Sequence, residues 1–239
     1  MENKFEMGLK ELGITLSSEQ REQFDKYYEL LVEWNKVMNL TGITEYDEVN
    51  LKHFIDSLSI VRVIDMNSVK RMVDVGTGAG FPGIPLKIAF PDTEILLLDS
   101  LNKRVKFLNE VIRQLGLKNI TAVHGRAEDL AKNKSCREGF DLCVSRAVAN
   151  LSTLCEYSLP FVWISGSFVS YKGEYSENEI HQAENAVDIL GGKISKIDKF
   201  KLPGTDIGRS LIKIDKIKKT PGKYPRKAGL PAKEPLISA

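Results

Sequence analysis

Thiols, histidines and long apolar runs are scarce in this chain of 239 residues. Its three cysteines, Cys136, Cys143 and Cys155, are odd in number and make no C-x-x-C pair. That excludes a disulfide framework and a thiolate zinc site, and it points to a reducing cytoplasm. His124 and His181 are isolated, so no metal site is expected. The longest uncharged stretch, Tyr157 to Tyr171, is shorter than a membrane span and is interrupted by Pro160 and Gly166. Near the N-terminus, Glu2, Lys4, Glu6, Lys10 and Glu11 stand where a signal peptide would need an apolar block. No membrane partner is expected. Hydrophobic residues at 42% and charged residues at 28% describe an ordinary globular protein, which excludes a disordered or fibrous chain. A monomer of this size buries roughly 70–75% of its extended-chain surface, enough for one large α/β domain or two small ones.

The net charge of +2 is unevenly spread. From residue 216 onward, seven basic residues face the single acid Glu234, so the tail carries +6 and the rest of the chain −4. A mildly acidic body with a basic tail suggests a polyanionic partner. Within that tail, Lys223-Tyr224-Pro225-Arg226-Lys227 sets an aromatic among cations. Prolines 221, 225, 231 and 235 favour an extended chain without a helix. Two readings stay open: a strand-like arm on RNA that leaves other ligands alone, or a clasp folded back on the acidic body.

Residues 1–68 read as a helical cap. Ser17-Ser18-Glu19-Gln20 fits a capping box, followed by Phe24, Tyr27, Leu30, Leu31, Trp34, Val37 and Met38 at helical spacing. Thr41-Gly42 breaks that helix, and Thr44 is expected to cap a second one holding Val49, Phe54, Ile55, Leu58 and Val61. From residue 69 to 217 the pattern alternates strand and helix, with near-continuous apolar strands that indicate a parallel sheet covered on both faces. Strands are expected at 72–75, 95–99, 120–123, 140–145 and 167–171. The runs 193–200 and 210–217, joined by Leu202-Pro203-Gly204-Thr205-Asp206 without a helix, predict an antiparallel hairpin at one sheet edge. Residues 218–239 form the basic tail of one integrated unit.

The most informative segment is Asp74-Val75-Gly76-Thr77-Gly78-Ala79-Gly80-Phe81-Pro82-Gly83-Ile84-Pro85. Glycines after a strand let the backbone turn tightly and let a ligand approach. The glycines start two residues late for a dinucleotide fingerprint, and the Asp74 carboxylate would repel a pyrophosphate. It would instead attract the amino or sulfonium charge of S-adenosylmethionine (SAM). Asp99 ends the second strand, where an acid can accept both ribose hydroxyls, and it could also cap the helix that follows. After the third strand, the Ala127 N–H and the Glu128 carboxylate could meet the polar edge of adenine.

The segment 74–85, together with Asp99-Ser100-Leu101-Asn102-Lys103-Arg104, Arg126-Ala127-Glu128, Ser145-Arg146-Ala147 and Tyr224-Pro225-Arg226-Lys227, resembles the RsmG family, also called glucose-inhibited division protein B. The resemblance covers essentially the whole chain. It implies a class I SAM-dependent methyltransferase: a Rossmann-like α/β sheet, mostly parallel, with an antiparallel edge hairpin and an N-terminal helical cap. It also implies methylation of guanine N7 in 16S ribosomal RNA, with SAM contacts at Gly76, Phe81, Ala127, Glu128 and Arg146. Asp74, Gly78, Gly80 and Asp99 complete the expected cofactor set.

The residues around the fourth strand bear on the reaction. Ser145-Arg146-Ala147-Val148 lacks the Pro-Pro-aromatic motif of amino-group methyltransferases, and Cys143 and Cys155 read as core residues rather than nucleophiles. Guanine N7 has a free lone pair, so transfer to it needs alignment rather than a general base. Arg146 is the candidate catalytic residue; it could hold the methionine carboxylate, orient the guanine or grip a phosphate. Lys103 and Arg104, at a helix start unfavourable for cations, are candidates to meet RNA phosphates alongside Lys223, Arg226 and Lys227, or else form a solvated face. His53 and Asp56 lie on adjacent turns, as site support or as a structural pair. The resemblance implies naked 16S RNA or the small ribosomal subunit as the partner, and the enzyme is expected to act as a monomer. A SAM enzyme for a small molecule and a non-catalytic RNA-binding assembly factor are the alternatives.

Overall fold

The computed structural model describes residues 4–146, 149–173 and 175–237; Glu2 in the charged N-terminus, and Ala147 and Val148 after the fourth strand, lie outside them. Two N-terminal helices open the chain, α1 (Lys4–Leu12) and α2 (Ser18–Met38). The capping box at Ser17 is formed: its hydroxyl accepts from the Gln20 N–H, and the Gln20 side chain accepts from the Ser17 N–H at 2.8 Å. Phe24, Tyr27, Leu30 and Leu31 face the core, whereas Val37, expected among them, is turned to solvent. Asn39, in left-handed conformation at φ 48°, ends α2. The expected cap at Thr44 is not formed. Glu45 precedes α3 (Tyr46–Val49) without a side-chain cap, and the Thr44 carbonyl accepts from the Tyr28 hydroxyl. The helix continues as a π-helical stretch, Asn50–Ile55, into α4 (Asp56–Leu58).

Seven strands then form one sheet in the order β3-β2-β1-β4-β5-β7-β6. They are β1 (Arg71–Val75), β2 (Glu94–Asp99), β3 (Ile120–His124), β4 (Phe140–Arg146), β5 (Val162–Lys172), β6 (Gly192–Lys201) and β7 (Gly208–Lys216). The first five pair in parallel. The expected hairpin is present: β7 pairs antiparallel with β5, and β6 forms the outer edge. That edge carries Lys193, Lys196, Lys199 and Lys201, with a register shift between Ile194 and Lys196. Crossovers run through α5 (Gly83–Ala89), α6 (Asn102–Gln114), α7 (Ala127–Leu130) and α8 (Leu151–Ser158), and α9 (Glu177–Ile189) precedes the hairpin. Strand order reverses between β1 and β4, so a crevice opens at their carboxyl ends, the place where open α/β sheets bind ligands.

The N-terminal helices and one sheet face share a single apolar core, while α8 and α9 cover the other face. Phe5, Phe24, Tyr27, Phe54 and Phe81 form a chain of rings with centroids 5.0–6.3 Å apart. Edge and tilted ring contacts of this kind are worth about 0.5–1.5 kcal/mol each beyond burial. Through them the helical cap fixes Phe81, the last side chain of the glycine loop.

The tail departs from the extended arm. Tyr224 is buried, Pro231 lies inside the one-turn helix α10 (Leu230–Lys233), and the segment packs against α8.

Candidate active site

The loop after β1 is built from backbone first. Gly76 and Thr77 N–H groups both donate to the Leu98 carbonyl at the end of β2, at 2.8 and 3.1 Å. Gly78 has φ +62°, and a Cβ there would meet no protein atom within 4 Å. Its demand for glycine is therefore conformational. Gly83 differs: a Cβ there would collide with the Leu97 side chain and sit 2.9 Å from Asp74 Oδ2. Gly83 closes the spacing Gly78-x-Gly80-x-x-Gly83, and its demand for glycine is steric.

Asp74 is fully buried and ties this loop together. Its Oδ2 accepts from the Thr77 hydroxyl at 2.6 Å and the Gly83 N–H at 2.9 Å, whereas Oδ1 is buried with no protein partner. Burial lifts the carboxyl to about 7, opposed by those two hydrogen bonds and by Arg146. A buried acceptor without a partner is costly, and the ammonium of a bound SAM would satisfy it. Asp99, also buried, accepts from the Leu101 N–H through Oδ1 and from the Gly78 N–H through Oδ2, both at 2.9 Å. It therefore braces the start of α6 and the glycine loop together.

A cavity of about 260 Å³ lies beside these groups, lined among others by Gly76, Ser100, Ala127, Glu128, Tyr157 and Ala232. It unites the expected Gly76, Ala127 and Glu128 with two residues that sequence reasoning missed, Tyr157 and Ala232. The Glu128 carboxylate accepts from the Gly229 N–H at 2.9 Å, a partner at the far end of the chain.

A second cavity, of about 360 Å³, opens between the helical cap and the ends of β4, β5 and β7. Arg146 reaches it from β4. Its guanidinium donates to Asp56 Oδ2 at 3.1 Å, to the Lys52 carbonyl at 3.3 Å and to His53 Nδ1 at 3.2 Å. Arg209, which no motif had flagged, donates to Asp56 Oδ1 at 3.1 Å. Burial raises the Asp56 carboxyl's pKa while both guanidiniums oppose it. A guanidinium can only donate, so His53 Nδ1 accepts and the imidazole proton sits on Nε2, facing the Thr41 hydroxyl at 2.8 Å. Burial and Arg146 push His53 down to about 3, so the ring is neutral at physiological pH. His53 stacks on Phe81 with centroids 4.5 Å apart, and Arg146 lies 4.9 Å above the same ring. Phe81 thus joins the glycine loop of the first cavity to the basic wall of the second. His53 and Asp56 are both part of this arrangement.

The expected RNA-binding residues are scattered. Lys103 is exposed, with Nζ 3.5 Å from the Met38 carbonyl. Arg104 pairs with Asp99 at 3.4 Å rather than standing free. Lys223 and Lys227 are exposed. Arg226 is a correction to the reading of the tail as an RNA arm, since its fork is engaged by the buried Glu156 carboxylate at 2.7–3.1 Å. Cys143 and Cys155 are buried, and burial pushes both thiols well up, which removes them as nucleophiles. Among the described residues no group of three or more metal-ligating side chains converges, and no helix is long and apolar enough to cross a membrane.

A switch-point crevice, a glycine loop braced by two strand-end acids and a nucleoside-sized cavity define a SAM-dependent methyltransferase. Solved structures share the fold at low identity. TrmN from Thermus thermophilus superposes with a TM-score of 0.54 at 14% identity over 68% of this chain and 48% of its own. A chain from the complex between the Haloferax volcanii Trm112 methyltransferase activator and a methyltransferase reaches 0.58 at 13% identity, over 79% of this chain and 98% of its own. The sequence is more specific. Residues 20–208 match the family model GidB, rRNA small subunit methyltransferase G, and the chain belongs to that family. The ribosomal RNA small subunit methyltransferase G of Lachnoclostridium phytofermentans is 54% identical over 98% of this chain and 96% of its own length. That of Desulforamulus reducens is 52% identical over 95% of each.

Proposed function

We propose that this protein transfers the methyl group of SAM to N7 of one guanosine in 16S ribosomal RNA, as a cytoplasmic monomer acting on the RNA or the small subunit. When bound, SAM supplies an electrophilic sulfonium methyl. The nucleoside half of SAM fits the smaller cavity, with Asp99 at the ribose, Ala127 and Glu128 at adenine, and Asp74 Oδ1 at the ammonium. The larger cavity takes the acceptor nucleotide, with Arg146 held in place by Asp56, Lys52 and His53.

The observation that carries this reading is the state of the polar groups in the larger cavity. His53 is neutral and engaged on both ring nitrogens, and Asp56 is bound by two arginines. Tyr171 donates to the Ser57 carbonyl, and burial holds its hydroxyl proton well above the usual range. None of these is a base ready to take a proton at neutral pH. An exocyclic amine or a ribose hydroxyl must lose a proton on methylation, whereas guanine N7 need not. Two guanidiniums on the single Asp56 carboxylate leave this wall net positive, which suits an RNA phosphate; Lys52 and Lys172 beside it are paired with Glu48 and Glu179.

The test is methyl transfer from tritiated SAM to deproteinised 16S RNA and to small subunits, with the modified position mapped by borohydride and aniline scission. One cut, absent when the target carries 7-deazaguanine, is expected. Label on a ribose or an exocyclic amine would refute N7 transfer, and unlabelled RNA in both substrates would refute the RNA assignment.

A further inference from the structure

The basic tail is bound back onto the molecule by a series of specific contacts. The Thr220 N–H donates to Glu138 at 2.9 Å, and the Arg137 guanidinium holds the Thr220 and Tyr224 carbonyls at 2.8 and 2.9 Å. Arg226 then meets Glu156 on α8 three ways: backbone N–H at 2.8 Å, Nε at 2.9 Å and Nη2 at 2.7 Å. The Glu156 side chain is 1% exposed, and a carboxylate that deep persists only with its charge matched and its lone pairs filled. Arg226 Nη2 also donates to the Glu234 carbonyl, closing the segment on itself. Beyond it, the Gly229 N–H donates to Glu128, and the Pro231 carbonyl accepts from Thr153 on α8 at 3.1 Å. The chain then brings Ala232 to the wall of the 260 Å³ cavity, with Tyr157, the residue next to Glu156, on the same wall.

We infer that residues 224–234 form a wall of the cofactor's nucleoside pocket: Ala232 limits the space for adenine, Gly229 orients Glu128, and the Arg226–Glu156 pair positions both. The inference rests on assigning that cavity to the nucleoside of SAM. Arg226 is then a positioning residue for the cofactor and not a phosphate ligand. Any side chain larger than Ala232 occupies space on the adenine side, at an exposed position where the fold itself tolerates bulk.

The experiment titrates the full-length protein with SAM and with 5′-methylthioadenosine, which keeps the nucleoside and lacks the amino acid. Ala232→Leu should weaken both ligands about tenfold or more with an unchanged melting temperature. Arg226→Ala should weaken both to a similar degree, Arg226→Lys less, because an ammonium keeps the charge and loses the fork. In turnover, KM for SAM should rise in Ala232→Leu while kcat at saturating SAM and KM for RNA hold. Wild-type affinity in Ala232→Leu and Arg226→Ala, even with a lowered melting temperature in the latter, would overturn the inference and leave the tail as a clasp. Asp99→Ala in the same titration separates the two levels. If it weakens SAM and the tail variants do not, the wall alone is wrong; if it too binds normally, the cavity assignment falls and the wall with it.

Discussion

The glycine loop and the C-terminal tail flank the same cavity and are held by different physics. In the loop, the partners come from the loop itself and the adjacent strand end: Asp74 bonds Thr77 and Gly83, the Gly76, Thr77 and Gly78 N–H groups reach Leu98 and Asp99, and Gly78 takes a φ that other residues resist. The tail is held by partners some 70 to 100 residues away, Glu156 for Arg226 and Glu128 for Gly229. A loop encoded locally keeps its shape while distant surfaces change. The tail depends on partners from separate elements, so losing Arg226 or Glu156 leaves the other charge without its match. The cofactor site is therefore rigid on one side and conditional on the other.

The largest effect expected from breaking the local side is in Gly78→Val. A β-branched residue at φ +62° is strained, and its side chain enters the space in front of the loop. Calorimetry should detect no SAM binding while the melt stays cooperative, and normal binding would mean that the loop is only a turn. Next comes Asp99→Ala, which removes the proposed ribose acceptor and also frees the Gly78 and Leu101 N–H groups. SAM should weaken at least tenfold, and stability should fall by about 1–3 kcal/mol for the donors left unpaired, read by urea melts.

A smaller effect separates the two cavities by pH. Asp74 is raised to about 7 when folded, so the folded state binds the proton more tightly and this group's contribution to stability falls as pH rises from about 4 to about 7. His53 is lowered to about 3, so the unfolded state binds the extra proton and its contribution rises with pH up to about 6.5. The two slopes oppose each other across the acid range. Asp74→Asn should unmask a stability that climbs with pH, and His53→Gln one that declines. Parallel wild-type and variant profiles in urea melts would show that neither group titrates as described. The smallest effect sharpens the comparison on the tail. With Arg226 engaged by Glu156, only Lys227 of that pair is free for phosphate, so Arg226→Ala with Lys227→Ala should flatten the slope of log K for RNA against log salt by about 0.7 rather than 1.4. A change near the larger value would return Arg226 to the RNA.

How much could be read from the sequence follows the same division. The capping box at Ser17, the alternation of strand and helix, the edge hairpin, the glycine loop and the acids Asp74, Asp99 and Glu128 are local patterns, and each lies where the spacing placed it. Thr44 was a sound cap by residue type, but its carbonyl was drawn to Tyr28 and the helix began two residues on. Arg209 carried no signal because its value lies in sharing Asp56 with Arg146, a contact spanning 153 positions. Arg226 was misleading for a related reason. A guanidinium facing a buried carboxylate and one facing water contribute the same charge to a composition count, and only the fold distinguishes them.

The lysine-bearing outer strand β6 has a consequence for how copies of this protein meet. An open sheet edge offers unpaired N–H and C=O groups to any passing strand, and two such edges can zip into a continuous sheet. Here four lysines recur along the edge and a register irregularity interrupts its line between Ile194 and Lys196. A second copy approaching in register would align ammonium against ammonium over a kinked rail. Copies of this chain that meet side by side thus find the route to fibrous growth closed at this edge.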